Sequence, residues 1–406
     1  MRLSAFTNTE PKPLLATDIL KALYAPQKVF KKIVQEPKYL AAAIVFILFV
    51  AAQVGYYYSY YSHTYYEQST PSLTQIGLWT TNTTMWQGSS GITITNSSDH
   101  IESYGSYYGD TSLQLAISNS SSLSVATMQD ALGMVNCGSD GYQNMSLSIE
   151  IVAPNAVPES ATVTLYSLED ANYFQYDLTP ELSNASLLGV WTNLTIPVGH
   201  GNWQSTGSPQ WTNITNLKLD FSFPSSTSSV TIRLQGVFFR GIYEVPVNSD
   251  STGFLAFVVE QSITLFLFMW LILTGILYIV IKGLKGNVTW KPLFIALGVA
   301  LIVMVVQSLI TIAATVTLPA VLDIPVEYLA MIPGQATAIY NNFIAPVTAT
   351  FAAITTAVQL AVYAWTVGLA AIIVKALVPE FSWSKSILGS VAAFVVTIIV
   401  LAFLGV

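Results

Sequence analysis

Side chains that commonly carry chemistry are few in this sequence and far apart. Its three histidines, His63, His100 and His200, are scattered, and Cys137 is its one cysteine, so no internal disulfide and no partnered thiol can be formed. No phosphate loop or dinucleotide fingerprint occurs either. The expectation is a protein that is not an enzyme, with no catalytic residues, no metal and no cofactor. The remaining candidates stack and hydrogen-bond. Trp203 lies in the loop "GHGNWQSTG" beside His200 and Asn202, where an indole face could lie on a sugar ring, and these three are the candidate glycan contacts. Trp79, Trp191 and Trp211 read instead as core, and His200 as a hydrogen-bonding loop residue. A second set, Gln53, Glu260, Gln261, Gln307 and Gln359, is polar within apolar surroundings. With one carboxylate and no Lys, Arg or His among them, they read as hydrogen bonds between helices rather than as an ion relay.

Those apolar surroundings define the molecule. Of 406 residues, 52% are hydrophobic and only 9% charged, against roughly a quarter charged in soluble domains. Five runs reach the length needed to cross a bilayer, near 39–58, 254–281, 292–318, 345–374 and 386–405. The fourth includes Pro346 and is expected to begin late, tilt or kink. Small residues such as Gly298, Ala300, Gly368 and Ala370 suit close helix packing. The expected organisation is a cytoplasmic amphipathic segment over 1–38, a first transmembrane helix over 39–58, an extracytoplasmic β domain over 59–252, and transmembrane helices two to five over 253–406.

Charge orients these segments. Seven Lys and Arg residues precede the first run, and Lys282, Lys285, Lys291, Lys375 and Lys385 mark two further cytoplasmic segments. The β segment carries only Lys218, Arg233 and Arg240, and the loop at 319–344 carries none. Seven N-x-S/T acceptors fall in the β segment, at Asn82, Asn96, Asn119, Asn144, Asn184, Asn193 and Asn213, while Asn287 falls on the predicted cytoplasmic side. The first 38 residues lack the apolar core of a cleavable signal, so the first run reads as a signal anchor. The tyrosine-rich stretch "YYYSYYSHTYY" at 56–66 reads as an interfacial girdle and stalk, with sugar stacking open to rings beyond the membrane.

Strict alternation in "LKLDFSF", "VTIRLQ", "LSIEI" and "SLQLAI", with "ATVTLYSL", "YFQYDL" and "WTNLTIPV", predicts eight or more short strands in a two-sheet sandwich. The order of these strands and of the tryptophans over residues 75–242 resembles the jelly-roll carbohydrate-binding and galactose-binding-like modules. The resemblance implies an all-β jelly-roll sandwich ectodomain inserted into a membrane α-helical bundle, and a surface suited to glycans. Members of those families often use an Asp of the closing strand to hold a structural calcium; Gln235 takes that place here.

The stretch "TDILKALYAPQKVFKKIVQEPKYL" predicts two short amphipathic helices on the membrane surface, their lysines attracted to anionic membrane lipid. With five spans and Pro26 and Phe30 in a P-x-x-x-F element, residues 15–58 and 254–406 resemble the Yip family, five-span membrane proteins whose eukaryotic members interact with Rab GTPases. Where those members carry Asp-Leu-Tyr-Gly-Pro, this chain reads Ala22 to Pro26 as "ALYAP". The leading expectation is a cell-surface membrane protein, suited to an archaeal envelope, that presents a glycosylated module to envelope glycans or a surface-layer protein. Nucleic acid is not expected, given little positive charge. The alternatives are an accessory subunit with partners in a larger membrane complex, and a small-solute transporter with Glu260 as its proton or cation site.

Overall fold

The computed structural model describes residues 16–101, 109–118, 124–128, 132–153, 156–224, 229–249, 251–330 and 334–405. The chain forms two units, a helical one (Met1–Thr64, Pro246–Leu322 and Pro346–Val406) and a β one (Tyr65–Val245 and Asp323–Ala345).

The helical unit contains α1 (Ala16–Tyr24), α2 (Pro26–Gln35), α3 (Tyr39–Tyr61), α4 (Ser251–Gly283), α5 (Trp290–Ala300), α6 (Ile302–Ala314), α7 (Ala345–Leu377) and α8 (Trp383–Leu404). Five helices, with α5, α6 and the turn after them taken as one, are long and apolar enough to cross a membrane. By length and composition this is a multi-pass membrane protein. Ile19, Ala22, Val29, Phe30 and Ile33 of the two amphipathic helices are buried in one core with α3 to α8, while Lys28 and Lys31 are exposed. Much of the apolar face of α1 and α2 therefore packs on protein, while Leu20 and Tyr24 of α1 stay exposed beside the lysines.

The first span runs past the expected boundary at 58. Residues 56–61 remain helical, with Tyr57 stacked on Tyr61 at 6.1 Å, an i, i+4 pair on one helix face. Tyr60 meets Phe351 at 5.6 Å, and Ser59 shares a 2.6 Å hydroxyl contact with Thr315. Most of the supposed stalk is thus the last turn of a packed helix. The third span breaks at Leu301 between α5 and α6. A π-helical turn, Tyr340–Ile344, immediately precedes α7 and its Pro346, whose ring cannot follow a regular α-turn.

The β unit carries β1 (Thr64–Thr70), β2 (Trp86–Gly88), β3 (Ile92–Ser97), β4 (Ser112–Ser118), β5 (Ser124–Met128), β6 (Asn144–Ala153), β7 (Ser160–Ser167), β8 (Glu169–Asp177), β9 (Thr192–Pro197), β10 (Gln204–Thr206), β11 (Ile214–Ser222), β12 (Ser229–Glu244) and β13 (Leu322–Ile324). One sheet is centred on β12, which pairs along one edge with β6 and beyond it β9. Along its other edge β12 pairs first with β4 and then with β1, and β3 and β13 extend these two. The second sheet has the order β10-β8-β7-β11-β5-β2. Leu147, Ile149, Ile232 and Leu234 of the first and Val163, Leu165, Leu217 and Leu219 of the second share one core, so the sheets form a β-sandwich. Every alternating stretch singled out in the sequence lies in a strand. The short helix Val326–Leu329 belongs to this unit as well, with Val326 buried against Ile76, Ile101 and Phe238.

Candidate functional site

The two sheets of the sandwich treat their outward-facing side chains differently. On the β12 sheet, Arg233 bonds Glu150 at 3.1 Å and Gln114 at 3.1 Å and is also paired with Asp99. Arg240 chelates Glu67 through Nε and Nη2, both at 2.8 Å, and its Nη1 and Nη2 bond Glu327. The Val326 N–H donates to the same Glu67 carboxylate at 3.0 Å. Burial opposes the charge on Arg240, but the two carboxylates outweigh it and hold the guanidinium above its ordinary value. Burial, with Glu67 next, also pushes the Tyr243 phenol up to about 12. These groups are committed to one another.

The outer face of the second sheet is not closed in this way. Strand register sets Lys218, Thr164, Gln175 and Gln204 in one row, Asp220, Thr162 and Asp177 in the next, and Asn216, Tyr166, Tyr173 and Thr206 in a third. Lys218 bonds Asp220 at 3.2 Å, yet Asp220 Oδ1 is buried with no hydrogen-bond partner among the described residues. Burial raises the Asp220 carboxyl above the usual carboxylate range, and Lys218 only partly offsets it. Tyr166 and Tyr173 meet edge to face at 5.8 Å.

Beside these rows lies a groove of about 380 Å³ lined by Glu159, Ser160, Thr162, Gln175, Asp177, Thr179, Asn202 and Gln204. Ser160 is held by Ser222, and Asp177 Oδ1 accepts the Thr179 N–H at 2.9 Å. Glu159, Thr162, Gln175, Asn202 and Gln204 have no side-chain partner among the described residues. A partly open groove lined by free carboxylate, hydroxyl and amide groups can bind hydroxyl-rich molecules and offers nothing to a phosphate backbone.

The sequence-derived candidates fall around this groove unevenly. Asn202 lines it. His200 is exposed, while Trp203 is half-buried, its Nε1 donating to the Pro197 carbonyl at 2.6 Å. The Trp203 ring meets Trp211 at 5.4 Å and Tyr176 at 5.3 Å, so much of its surface is spent on the sandwich. Trp79 and Trp86 are buried, and Trp211 stacks on Phe174 at 3.7 Å. The rows on the second sheet were not found from sequence. Their outward alternation is visible in "LKLDFS" and "ATVTLYS", but which strands lie side by side, and which polar groups go unpartnered, is set by tertiary pairing.

Gln235 is fully buried; its Oε1 accepts the Ile101 N–H and its Nε2 donates to the Gly109 carbonyl, both at 2.9 Å. Its amide thus bridges two stretches of backbone. Among the described residues no group of three His, Cys, Asp or Glu side chains is placed to hold a metal ion.

Six sequons are described, and Asn119 lies outside the described residues. Asn82 accepts both the N–H and the hydroxyl of Thr84, at 3.1 and 2.7 Å, and Asn184 accepts both from Ser186, at 3.0 and 2.9 Å. Their amide nitrogens make no hydrogen bond among the described residues. In contrast, Asn96 Nδ2 donates to Thr81 O at 3.1 Å and Asn213 Nδ2 to Gln210 at 3.2 Å. Asn193 accepts from Ser148, and the backbone of Asn144 is paired in β6.

In the helical unit, Gln53 donates to Ser308 at 3.1 Å, a bond between α3 and α6, whereas Gln359 donates to Tyr363 within α7 at 2.6 Å. Glu260 and Gln261 are exposed on α4.

No family model matches the chain, and no curated protein matches it. Solved structures similar to it include an exo-β-agarase, at 8% identity and a TM-score of 0.28 over 38% of this chain and 22% of that one. A carbohydrate-binding module of the β-sandwich superfamily matches at 11% identity and a TM-score of 0.24, over 38% of this chain and 56% of that one. A carbohydrate-binding module specific for non-crystalline cellulose matches at 12% identity and a TM-score of 0.24, over 39% of this chain and 87% of that one.

Proposed function

We propose that this is a non-enzymatic cell-surface protein, a Yip-like five-span membrane anchor presenting a jelly-roll module whose second-sheet face contacts neutral or amino sugars of the envelope. The carrying observation is the groove of five unpartnered polar side chains beside the Tyr166–Tyr173 pair. Sugar hydroxyls both donate and accept, and they match a mixed lining of amide, hydroxyl and carboxylate groups. A net neutral bond contributes about 0.5–1.5 kcal/mol, so one groove binds weakly and many copies on one surface supply the avidity. The orientation that supports this role rests on the lysine distribution, with residues 1–38 inside and 59–252 outside.

The test is binding of the full-length protein in nanodiscs to an array of envelope-type glycans. Wild-type protein should bind a subset, and Asp177→Ala or Thr162→Val should weaken that binding about tenfold, equivalent to ~1.4 kcal/mol. Trp203→Ala should act mainly through stability. Absence of glycan binding by the wild type, together with recovery of a stoichiometric membrane partner from native membranes, would replace this reading with that of an accessory subunit.

A further inference from the structure

The helical unit encloses a cavity of about 280 Å³ to which all five spans contribute. Its lining includes Gln53 from α3, Met269 from α4, Gln307 from α6, Gln359 and Tyr363 from α7, and Leu401 from α8. Three amides and a phenol therefore converge in the part of the molecule with the fewest polar groups. Two of the amides are engaged, Gln53 with Ser308 and Gln359 with Tyr363. The Gln307 side chain has no hydrogen-bond partner among the described residues, although it lies within a span. An amide in apolar surroundings without a partner is costly and calls for an occupant.

The lining also states what that occupant is not. It contains no Lys, Arg, His, Asp or Glu, so neither an anionic headgroup nor a cation finds a counter-charge. Glu260, the one carboxylate considered for ion coupling, is exposed on α4 and does not line the cavity. Apart from Thr366, whose hydroxyl donates to the Val362 carbonyl at 2.8 Å, the rest of the wall is aliphatic or thioether, including Leu265, Met304 and Ile398, and Met adapts to irregular apolar shapes. Gln359 and Ala402 are exposed, so the cavity opens on the flank between α7 and α8, where a spanning bundle meets acyl chains. A second cavity of about 140 Å³ shares Gln53 and Leu265 with the first and continues the polar lining to Tyr57 and Gln261.

We propose that this cavity binds a neutral lipid carrying a hydroxyl or ester group, such as a diglyceride, taken from the bilayer with its polar end on Gln307 and Gln359 and its chains leaving between α7 and α8. The site is separate from the glycan-facing groove and does not rest on that reading.

The experiment uses full-length protein in vesicles containing either a diazirine-bearing diacylglycerol or a diazirine-bearing phosphatidylglycerol. The neutral probe should crosslink to peptides containing Gln307 and Tyr363, and unlabelled diacylglycerol should compete, whereas phosphatidylglycerol should not. Gln307→Leu, which keeps the shape and removes the amide, and Ala402→Phe, which fills the mouth, should each lower labelling at least fivefold. Equal labelling by the anionic probe, labelling spread over outward-facing helix positions, or labelling unchanged in both variants would each overturn the proposal. Competition on wild-type protein keeps the test decisive if either variant fails to fold.

Discussion

Cys137 shows how little a residue's type says before its surroundings are known. Its side chain is wholly buried in the sandwich core, and burial pushes the thiol from 9.0 up to about 12. Alkylation of the native protein at pH 8 should therefore be negligible and should appear only on unfolding; prompt reaction in the native state would show the packing to be wrong. The same burial gives a pH dependence. Between pH 9 and 12 the folded thiol keeps its proton while the unfolded one loses it, so stability falls as pH rises, by at most about 1.4 kcal/mol per unit for this group. At this scale the sequence was partly legible. Trp79 could be assigned to the core, whereas Trp191 and Trp211 only pack half-buried against it, and so does Trp203, whose half-burial depends on Trp211 and Tyr176 arriving from other parts of the chain. Asp220 reads as an ordinary outward residue of "LKLDFSF", and only the covering of its Oδ1 makes it unusual.

Helices and strands were more legible, since period and length belong to the element itself. All five spans and every alternating stretch lie in the expected kind of element, and the departures are local: α3 is prolonged by its stacked tyrosines, and the third span breaks at Leu301. Gly298, one of the small residues expected to serve close helix packing, is such a contact point, whereas Gly368, named with it, has nothing within 4 Å of an added Cβ among the described residues. A Cβ at Gly298 would lie 2.5 Å from the Trp270 ring and 2.8 Å from Ala42. Trp270 has little room to yield, because its Nε1 donates to the Phe294 carbonyl at 2.6 Å and its ring stacks on Phe294 at 4.1 Å. Gly298→Ala should destabilise the helical unit by about 1–3 kcal/mol, as overpacking does. Gly275→Ala, where nothing lies within 4 Å, should be neutral or stabilising by up to ~1 kcal/mol. Thermal unfolding of both variants in one detergent checks the contrast, and equal midpoints would refute it.

For the molecule as a whole, orientation and modification are linked. If residues 59–252 are extracytoplasmic, mass spectrometry of native protein should find glycan on Asn82 and Asn184, whose amide nitrogens have no partner among the described residues, ahead of Asn96 and Asn213, whose nitrogens are bonded. Asn287 should be unmodified, and glycan there would reverse the orientation of α4 and α5. What composition could not reveal at this scale is that 323–345, a short connecting loop by sequence, is part of the β unit. Glu327, which completes the Arg240 cluster, lies 87 residues beyond Arg240 in the chain. A ribosome delivering this protein from its N-terminus must therefore finish α4, α5 and α6 before the last carboxylate of the sandwich exists. Until then Arg240 has only Glu67, and the module cannot be complete however much of 65–245 has emerged. The inserted domain is consequently not a cassette that could be cut out between its flanking spans and moved to another protein intact, for its final residues were written into the membrane anchor's side of the gene.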